Sequence, residues 1–244
     1  MRSFISVASL LFLGMLAACG GDNSADVLGQ NGSVPESEKI GFTGAAQVRA
    51  VNLEKDGGVL AIYVDGDKVA EGIKPGEVSA YFEVEALAGQ VTAEYTGANG
   101  TFVTAQASRF LDSERQHNFV FGPAGNTPSG QYATVVQEEP EPVNNDFAAV
   151  ASFHGLSNIT QIKVELIAED GTNAVRLVDA ETYFGVRSLS AALIPPGVYT
   201  LAISQKGRMI AQVPGQEIKK GKSYTIFAHE ISGAPSALLL ENSF

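Results

Sequence analysis

The sequence is poor in cysteine, tryptophan and positive charge. Its 244 residues include one cysteine and no tryptophan, and 16 Lys and Arg stand against 27 Asp and Glu, for a formal net charge of −11. A single cysteine excludes both an internal disulfide framework and a metal site with several thiolate ligands. The acidic balance argues against a nucleic-acid-binding protein, which needs a basic face. The lack of tryptophan also removes the largest aromatic platform for sugars.

The chain begins with a segment that is typical of secretory signal peptides. Arg2 supplies one positive charge, and a mostly apolar run of 15 residues extends from Phe4 to Ala18. This run is shorter than the roughly 18 residues that a helix needs to cross a bilayer. A positive start, an apolar run and small residues at its end predict a signal peptide over residues 1–18.

The tetrapeptide Leu16-Ala17-Ala18-Cys19 resembles the lipobox of bacterial lipoproteins. The resemblance implies cleavage between Ala18 and Cys19, a diacylglycerol thioether on Cys19, and acylation of the new amino group. Two or more acyl chains anchor a protein stably, whereas one chain gives only marginal membrane binding. Gly20 follows the cysteine where an Asp would favour retention in the inner membrane, so the resemblance favours the outer membrane. Whether the protein faces the periplasm or the cell exterior stays open.

Residues 19–39 are predicted to be a lipidated, flexible tether. They are rich in Gly, Ser, Asn and Asp and contain very few apolar residues. A coil of this length has a typical reach of roughly 25 Å. The tether would therefore hold a folded body clear of the lipid headgroups.

The remaining sequence contains an internal repeat. Asp65-Gly66 and Asp170-Gly171 each follow an apolar run of strand length, and the two pairs lie 105 residues apart. Asp-Gly between such runs is a strong signal for a type I′ hairpin. Each copy has about six or seven short apolar segments separated by Gly, Asp and Asn, which predicts strands rather than helices. We therefore expect an all-β fold of two tandem antiparallel β-sandwiches, of the immunoglobulin or transthyretin type.

The predicted sandwiches cover residues 40–138 and 147–244. Residues 139–146, between them, are acidic and include two prolines. This composition predicts a short, stiffened linker rather than a strand. The carboxylates of the linker, the tether and the turns are expected to be solvated.

Three parts of the first copy resemble the DUF4397 domain of bacterial envelope proteins: Val48–Leu53, the hairpin that ends at Lys68-Val69-Ala70, and Ile73–Val84. In that family an Arg-Val-x-(His/Asn) strand leads into a Val-Tyr-Val-Asp-Gly hairpin. The resemblance covers nearly all of residues 40–140 and, more loosely, residues 147–244. His154 stands at the His/Asn position of the second copy, but the preceding arginine is absent. The function of that family is unknown, so the resemblance implies a fold and an envelope location, and no chemistry.

Residues with catalytic or metal-binding chemistry are sparse. The three histidines, His117, His154 and His229, match no zinc-binding spacing, so we expect them at the surface or at strand ends, with no metal site. Asp65-Gly66-Asp67 lacks the spacing of an EF-hand loop, which favours a hairpin turn over a calcium site. The lysines of 219–222 indicate solvated protection of a sheet edge, with contact to anionic lipid or glycan as the alternative.

These patterns favour a non-enzymatic, lipid-anchored envelope protein without catalytic residues or a cofactor. Its two modules would contact an envelope protein or a glycan, since tandem modules permit bivalent attachment, or serve as a passive spacer or coat component. The alternative is an envelope carbohydrate-active enzyme whose loops carry a carboxylate pair, because such partners are often remote in sequence. The membrane is the one partner implied directly, and neither nucleic acid nor a small-molecule cofactor is expected.

Overall fold

The structure is a computed structural model that describes residues 44–55, 57–86, 88–113, 115–123, 132–142, 145–156, 159, 161–172, 175–182 and 191–242. The predicted signal peptide, the tether and the lipidation site at Ala18 and Cys19 lie outside the described residues and stay predictions. Within the described part of the chain, no helix is long and apolar enough to cross a membrane. The described residues belong to one compact unit.

The described residues form sixteen β-strands and no helix, which confirms the all-β prediction. In chain order the strands are β1 (Ala45–Asn52), β2 (Val59–Val64), β3 (Asp67–Ile73), β4 (Phe82–Glu85), β5 (Ala88–Thr96), β6 (Phe102–Phe110), β7 (Gln116–Pro123), β8 (Tyr132–Glu138), β9 (Ala148–His154), β10 (Gln161–Ala168), β11 (Val175–Thr182), β12 (Ala192–Ile194), β13 (Gly197–Gln205), β14 (Arg208–Ile218), β15 (Ser223–Ile231) and β16 (Ala234–Asn242). Each half has eight strands rather than six or seven. The segment 67–85, whose apolar pattern is weak, forms two separate edge strands, β3 and β4.

Each half of the chain builds two four-stranded sheets, and the two halves share one strand order. Sheet A is β4-β1-β7-β8 and sheet B is β3-β2-β5-β6; sheet C is β12-β9-β15-β16 and sheet D is β11-β10-β13-β14. Adding eight to each strand number of sheets A and B yields sheets C and D, so the sequence repeat is a repeat of topology. Sheets A and B use residues 45–138, and sheets C and D use residues 148–242. The exact limits of the two domains stay predictions.

One strand pair in each half is parallel, although we expected antiparallel sheets. β1 pairs with β7 in parallel, with Val48 opposite His117, and β9 pairs with β15 in parallel, with Phe153 opposite Phe227. Most residues of these four strands are buried on both faces. Burial on both faces is typical of parallel strands, and a near-continuous apolar run does not reveal strand direction.

Each sandwich has its own apolar core between its two sheets. In the first sandwich Tyr95 and Tyr132 stack on Phe121, each with ring centroids 5.5 Å from it. In the second, Tyr199, Leu201 and Ile203 of β13 point inward, as the alternation of the sequence predicts. The buried core residues of the first sandwich are Ala46, Val48, Ala50, Leu60, Ile62, Val64, Ile73, Val84, Ala86, Val91, Ala93, Tyr95, Ala105, Leu111, Phe119 and Phe121.

The two Asp-Gly pairs form different turns. Asp65 and Gly66 have φ of 51° and 97° and join β2 to β3 directly, which is the predicted type I′ geometry with both central residues at positive φ. Asp170-Gly171 lies in a longer loop between β10 and β11, where the Asp170 carboxylate accepts a hydrogen bond from the Thr172 N–H at 2.9 Å. The two-residue hairpin expected in the second copy is therefore wrong, because this aspartate bonds to the backbone two residues ahead.

Candidate functional site

The two sandwiches contact each other through sheets A and C. Val51 and Val120 of sheet A, with Leu53 directly after β1, form one buried apolar cluster with Phe153 and Phe227 of sheet C. The two phenylalanine rings lie 5.8 Å apart. Strands that expose one face in an isolated sandwich are thus covered on both faces here. The two modules pack together directly.

Leu53 packs closely against Gly155 in this contact. A Cβ atom added to Gly155 would lie 2.7 Å from the Leu53 Cδ1 atom and 3.1 Å from the Ala228 carbonyl oxygen. A distance under about 3.0 Å leaves no room for a methyl group without a shift of its neighbours. The glycine therefore permits the two sheets to approach at this point.

Arg49 joins the two sandwiches through a buried polar network. Its Nε donates to the Asn118 Oδ1 at 2.8 Å within the first sandwich. Its Nη atoms donate across the interface to the Asn242 Oδ1 at 2.6 Å and to the Glu241 carbonyl oxygen at 3.1 Å. Its Nη2 also pairs with the Glu139 carboxylate at 2.9 Å, and the two side chains are 4% and 0% exposed. One guanidinium thus binds both halves of the molecule.

Tyr81 completes the surroundings of this ion pair. Its hydroxyl donates to the Glu139 carboxylate at 2.7 Å, and the Arg49 guanidinium carbon lies 4.8 Å from the centre of its ring. That distance is within the range of a cation–π contact. Burial raises the pKa of the Glu139 carboxyl, and the positive charge of Arg49 opposes that shift. The buried Glu139 carboxylate thus has two partners, the Arg49 cation and the Tyr81 hydroxyl.

The network extends to the segment that joins the sandwiches. The Asn242 Nδ2 donates to the Ser223 Oγ at 2.8 Å, and the Ser223 hydroxyl donates to the carbonyl oxygen of Pro140. We expected the carboxylates of 139–146 to be solvated, which is wrong for Glu139 because Arg49 and Tyr81 hold it inside the interface. The sequence indicates this role in one way: the first copy has an arginine at position 49, and the second copy has none at the equivalent position.

The three histidines are buried, not at the surface. His117, His154 and His229 are 3%, 0% and 2% exposed. Burial lowers the pKa of His117 and of His154 to about 4 and also lowers the pKa of His229. The expectation of surface positions is wrong because their strands are covered on both faces, whereas the alternative, a position at a strand end, holds for His154, the last residue of β9.

His154 and Asn52 occupy equivalent positions and make equivalent hydrogen bonds. The His154 Nδ1 accepts from the Leu156 N–H at 3.2 Å, and the Asn52 Oδ1 accepts from the Glu54 N–H at 3.0 Å. In both cases the side chain accepts from the backbone two residues ahead. The choice of His or Asn at this position thus has a structural reason: each offers an acceptor at a buried strand end.

The other candidate sites are occupied by ion pairs. The Asp65 carboxylate lies 2.5 Å from an Arg109 Nη. Its pKa is lowered mainly by a hydrogen bond from the Gln90 N–H and, to a smaller extent, by the hydrogen bond from Arg109. Lys219 and Lys222 pair with Glu217 and Glu241 at 3.7 and 3.0 Å. In the part of the chain that the structure describes, no three His, Cys, Asp or Glu converge on a point that could hold a metal ion.

Two open grooves lie on the first sandwich. One, of about 400 Å³, follows the edge strand β3 and the segment 77–82. The other, of about 440 Å³, is mostly apolar and is lined by Gly57, Gly58, Val59, Lys74, Pro75, Thr96, Gly97 and Ala98. The carboxylates that line the first groove are those of Glu71 and Glu77. The Glu71 carboxylate accepts a hydrogen bond from Lys68, and the Glu77 carboxylate accepts one from the Lys74 N–H.

Comparisons with known proteins add little to this description. No protein-family profile matches the chain, and no curated protein matches it. Among solved structures, "The Bacillus anthracis TIE protein" is similar, with 14% identity and a TM-score of 0.24 over 73% of this chain and 32% of that chain. This chain therefore spans about a third of the length of that one. So low a TM-score supports no inference about function.

Proposed function

We propose that the protein is a lipid-anchored component of the bacterial cell envelope, in which two β-sandwiches act as one rigid, non-enzymatic binding body. The observation that carries the anchor is the tetrapeptide Leu16–Cys19, at the end of a short apolar run and ahead of a polar tether. Two or more acyl chains on Cys19 would hold the protein stably at a membrane. The resemblance to outer-membrane lipoproteins and to DUF4397 domains supports the same location.

The interface supports a rigid body rather than two independent modules. Arg49 bonds to residues of both sandwiches, and Leu53 packs against Gly155. A rigid pair presents its two modules at one fixed separation and orientation, so a partner that spans both would be bound without first ordering a hinge. An envelope protein or a glycan with repeated binding features fits such a body.

The anchor is tested with the variant Cys19→Ser. We expect the wild-type chain to incorporate a labelled fatty acid and to fractionate with membranes, and the variant to remain an unlabelled, longer precursor. Mass spectrometry of the mature N-terminus measures the modification directly. An unmodified Cys19 in the wild-type chain would overturn the proposal.

The binding role is tested by crosslinking in intact cells followed by capture of the protein. We expect the same envelope protein or glycan to be enriched in repeated experiments. The double variant Arg49→Met, Glu139→Leu removes the hydrogen bonds that fix the alignment of the two sandwiches, and it should therefore reduce that enrichment. Equal recovery of every partner by the Cys19→Ser precursor would show that recovery does not depend on the anchored protein.

A further inference from the structure

The edge of sheet B at β6 carries the clearest unassigned feature of the surface. β6 pairs with β5 over its whole length, from Ala88 opposite Phe110 to Thr96 opposite Phe102, without a register shift. It is the last strand of its sheet, and no strand pairs with its other edge among the described residues. An unpaired edge presents alternating N–H and C=O groups that can pair with another strand.

β6 lacks the protection that its repeat equivalent carries. β14 begins with Arg208 and contains Pro214 and Gly215, and its pairing with β13 shifts register at two points. Charge, proline and bulges are the usual means by which edge strands avoid pairing with other chains. β6 contains no proline or glycine, and its single charged side chain, Arg109, is buried and paired with Asp65. Two strands at the same place in the topology thus differ in how their edges are protected.

The sequence of β6 is nearly the same in both directions. From Phe102 to Phe110 it reads Phe-Val-Thr-Ala-Gln-Ala-Ser-Arg-Phe, with Gln106 at the centre. If two copies pair antiparallel about Gln106, phenylalanine lies opposite phenylalanine, threonine opposite serine, and alanine opposite alanine. The one mismatch places Val103 opposite Arg109, so no like charges face each other. Matched residues across a two-fold axis are what an isologous contact requires.

The outward side chains of β6 also suit a sheet that continues across the edge. Thr104, Gln106 and Ser108 are exposed, and Phe102 is 61% exposed. Gln106 lies 3.4 Å from both Gln90 and Thr92 of β5, with amide and hydroxyl groups in hydrogen-bonding positions. A second copy would extend this row of amides and hydroxyls by the same spacing.

We infer that β6 is a self-association edge: two copies of this chain pair β6 with β6 antiparallel about Gln106 and join their B sheets into one eight-stranded sheet. The contact is closed by its two-fold axis, so it yields dimers and not fibres. The strand β8 contacts β6 within each copy but belongs to sheet A.

Cysteine crosslinking tests the register in the full chain. In the proposed dimer the two Gln106 residues face each other directly, within the Cα separation of about 4.4–6.8 Å that a disulfide needs. We expect Gln106→Cys with an added oxidant to give a disulfide-linked species of twice the monomer mass. The matched control is Thr92→Cys, one strand further in, whose two copies would be three strand spacings, or about 14 Å, apart. The wild-type chain, with Cys19 alone, sets the background. Equal crosslinking of Thr92→Cys and Gln106→Cys, or none for a folded Gln106→Cys chain, would overturn the inference.

Charge substitution tests the same edge without a covalent bond. Gln106→Lys and Gln106→Glu each place two like charges opposite each other, and the exposed position tolerates either residue in the monomer. Sedimentation of the purified chain should show a dimer for the wild type and a monomer for each variant. An equal mixture of the two variants should restore the dimer. A monomeric wild type, or variants that remain dimers by themselves, would contradict the proposed pairing.

Discussion

Arg49 and Asn242 are joined by a 2.6 Å hydrogen bond although they are 193 positions apart in the chain. The same guanidinium pairs with Glu139 at 2.9 Å, and neither side chain reaches solvent appreciably. A buried ion pair is a poor source of net stability, because desolvation of both charges offsets their attraction. The hydrogen bonds of this pair are directional, however, and they favour a single alignment of the two sandwiches over slipped alignments.

Removal of one member of the Arg49–Glu139 pair should lower the free energy of unfolding much more than removal of both members. We expect Arg49→Met or Glu139→Leu alone to lower the free energy of unfolding by about 3–5 kcal/mol, because each leaves a buried charge without its partner. The double variant should lose much less than the sum of the two. Urea denaturation measures all three values.

The matched control for this pair is Arg115→Met. It breaks partly exposed ion pairs with Glu138 and Glu141, at 3.3 and 3.2 Å, and we expect a loss of at most about 1 kcal/mol. Single-variant losses at Arg49 and Glu139 that are no larger than this control would contradict the buried-network interpretation.

The contact between Leu53 and Gly155 should behave as a coupled pair. Gly155→Ala places a methyl group 2.7 Å from the Leu53 Cδ1 atom, and overpacking of this kind costs about 1–3 kcal/mol. In a double variant with Leu53→Ala, part of that cost should disappear, because the clashing methyl is gone. Thermal unfolding of the single and double variants measures the coupling free energy between the two positions. Gly57→Ala, whose added Cβ would lie 3.9 Å from its nearest neighbour, is the control. Strict additivity would argue against a direct contact.

The buried histidines should make the fold sensitive to mild acid. Because burial lowers the pKa of His117 and of His154 to about 4, the unfolded chain, with histidine pKa values near about 6.5, binds more protons between these two pH values. The free energy of unfolding should therefore fall as the pH falls from 6.5 toward 4. Chemical denaturation at neutral and mildly acidic pH measures the loss.

His154→Asn is the informative variant for this effect. Asparagine at the equivalent position, Asn52, already accepts the same backbone hydrogen bond, so the variant should retain most of its stability at neutral pH. Since asparagine does not titrate, the loss of stability on acidification should be smaller than in the wild type. An unchanged acid dependence would show that His154 is not among the groups responsible.

The first sandwich by itself should expose the apolar face that sheet C covers. A chain that ends at residue 142 leaves Val51, Leu53 and Val120 without Phe153 and Phe227. We expect this fragment to bind a hydrophobic dye or to aggregate, and Val51→Thr with Val120→Thr to reduce both effects. A soluble fragment that binds no dye would indicate that the interface is dispensable.

Local patterns predicted the parts of the fold that local physics controls. Asp65-Gly66 forms the predicted hairpin because few other residues adopt positive φ there without strain. The alternation at Tyr199, Leu201 and Ile203 identified an inward face because side chains of a strand alternate between its two sides. The strand pairing is different: β1 lies parallel to β7, about 70 residues away, and no period in the sequence records that direction.

The burial of polar residues is the part that needed the tertiary structure. Glu139 lies in a segment whose acidic, proline-containing composition is typical of a solvated linker. The three histidines belong to no recognisable motif. Glu139 and His229 are buried because sheets A and C cover each other. His117 and His154 lie on the inward side of their strands, with Phe119 and with Val150, and are buried within their own sandwiches.

The single cysteine, the apolar leader and the lipobox resemblance are properties of the sequence alone, and so are the repeat and its all-β character. Each of these depends on residue types that are close together or on a pattern that recurs. The contact of sheet A with sheet C, the role of Arg49 and the placement of the histidines were decided only by the tertiary structure. They depend on which faces meet across roughly 100 to 190 residues of chain, and such a choice follows from the burial of apolar area in three dimensions.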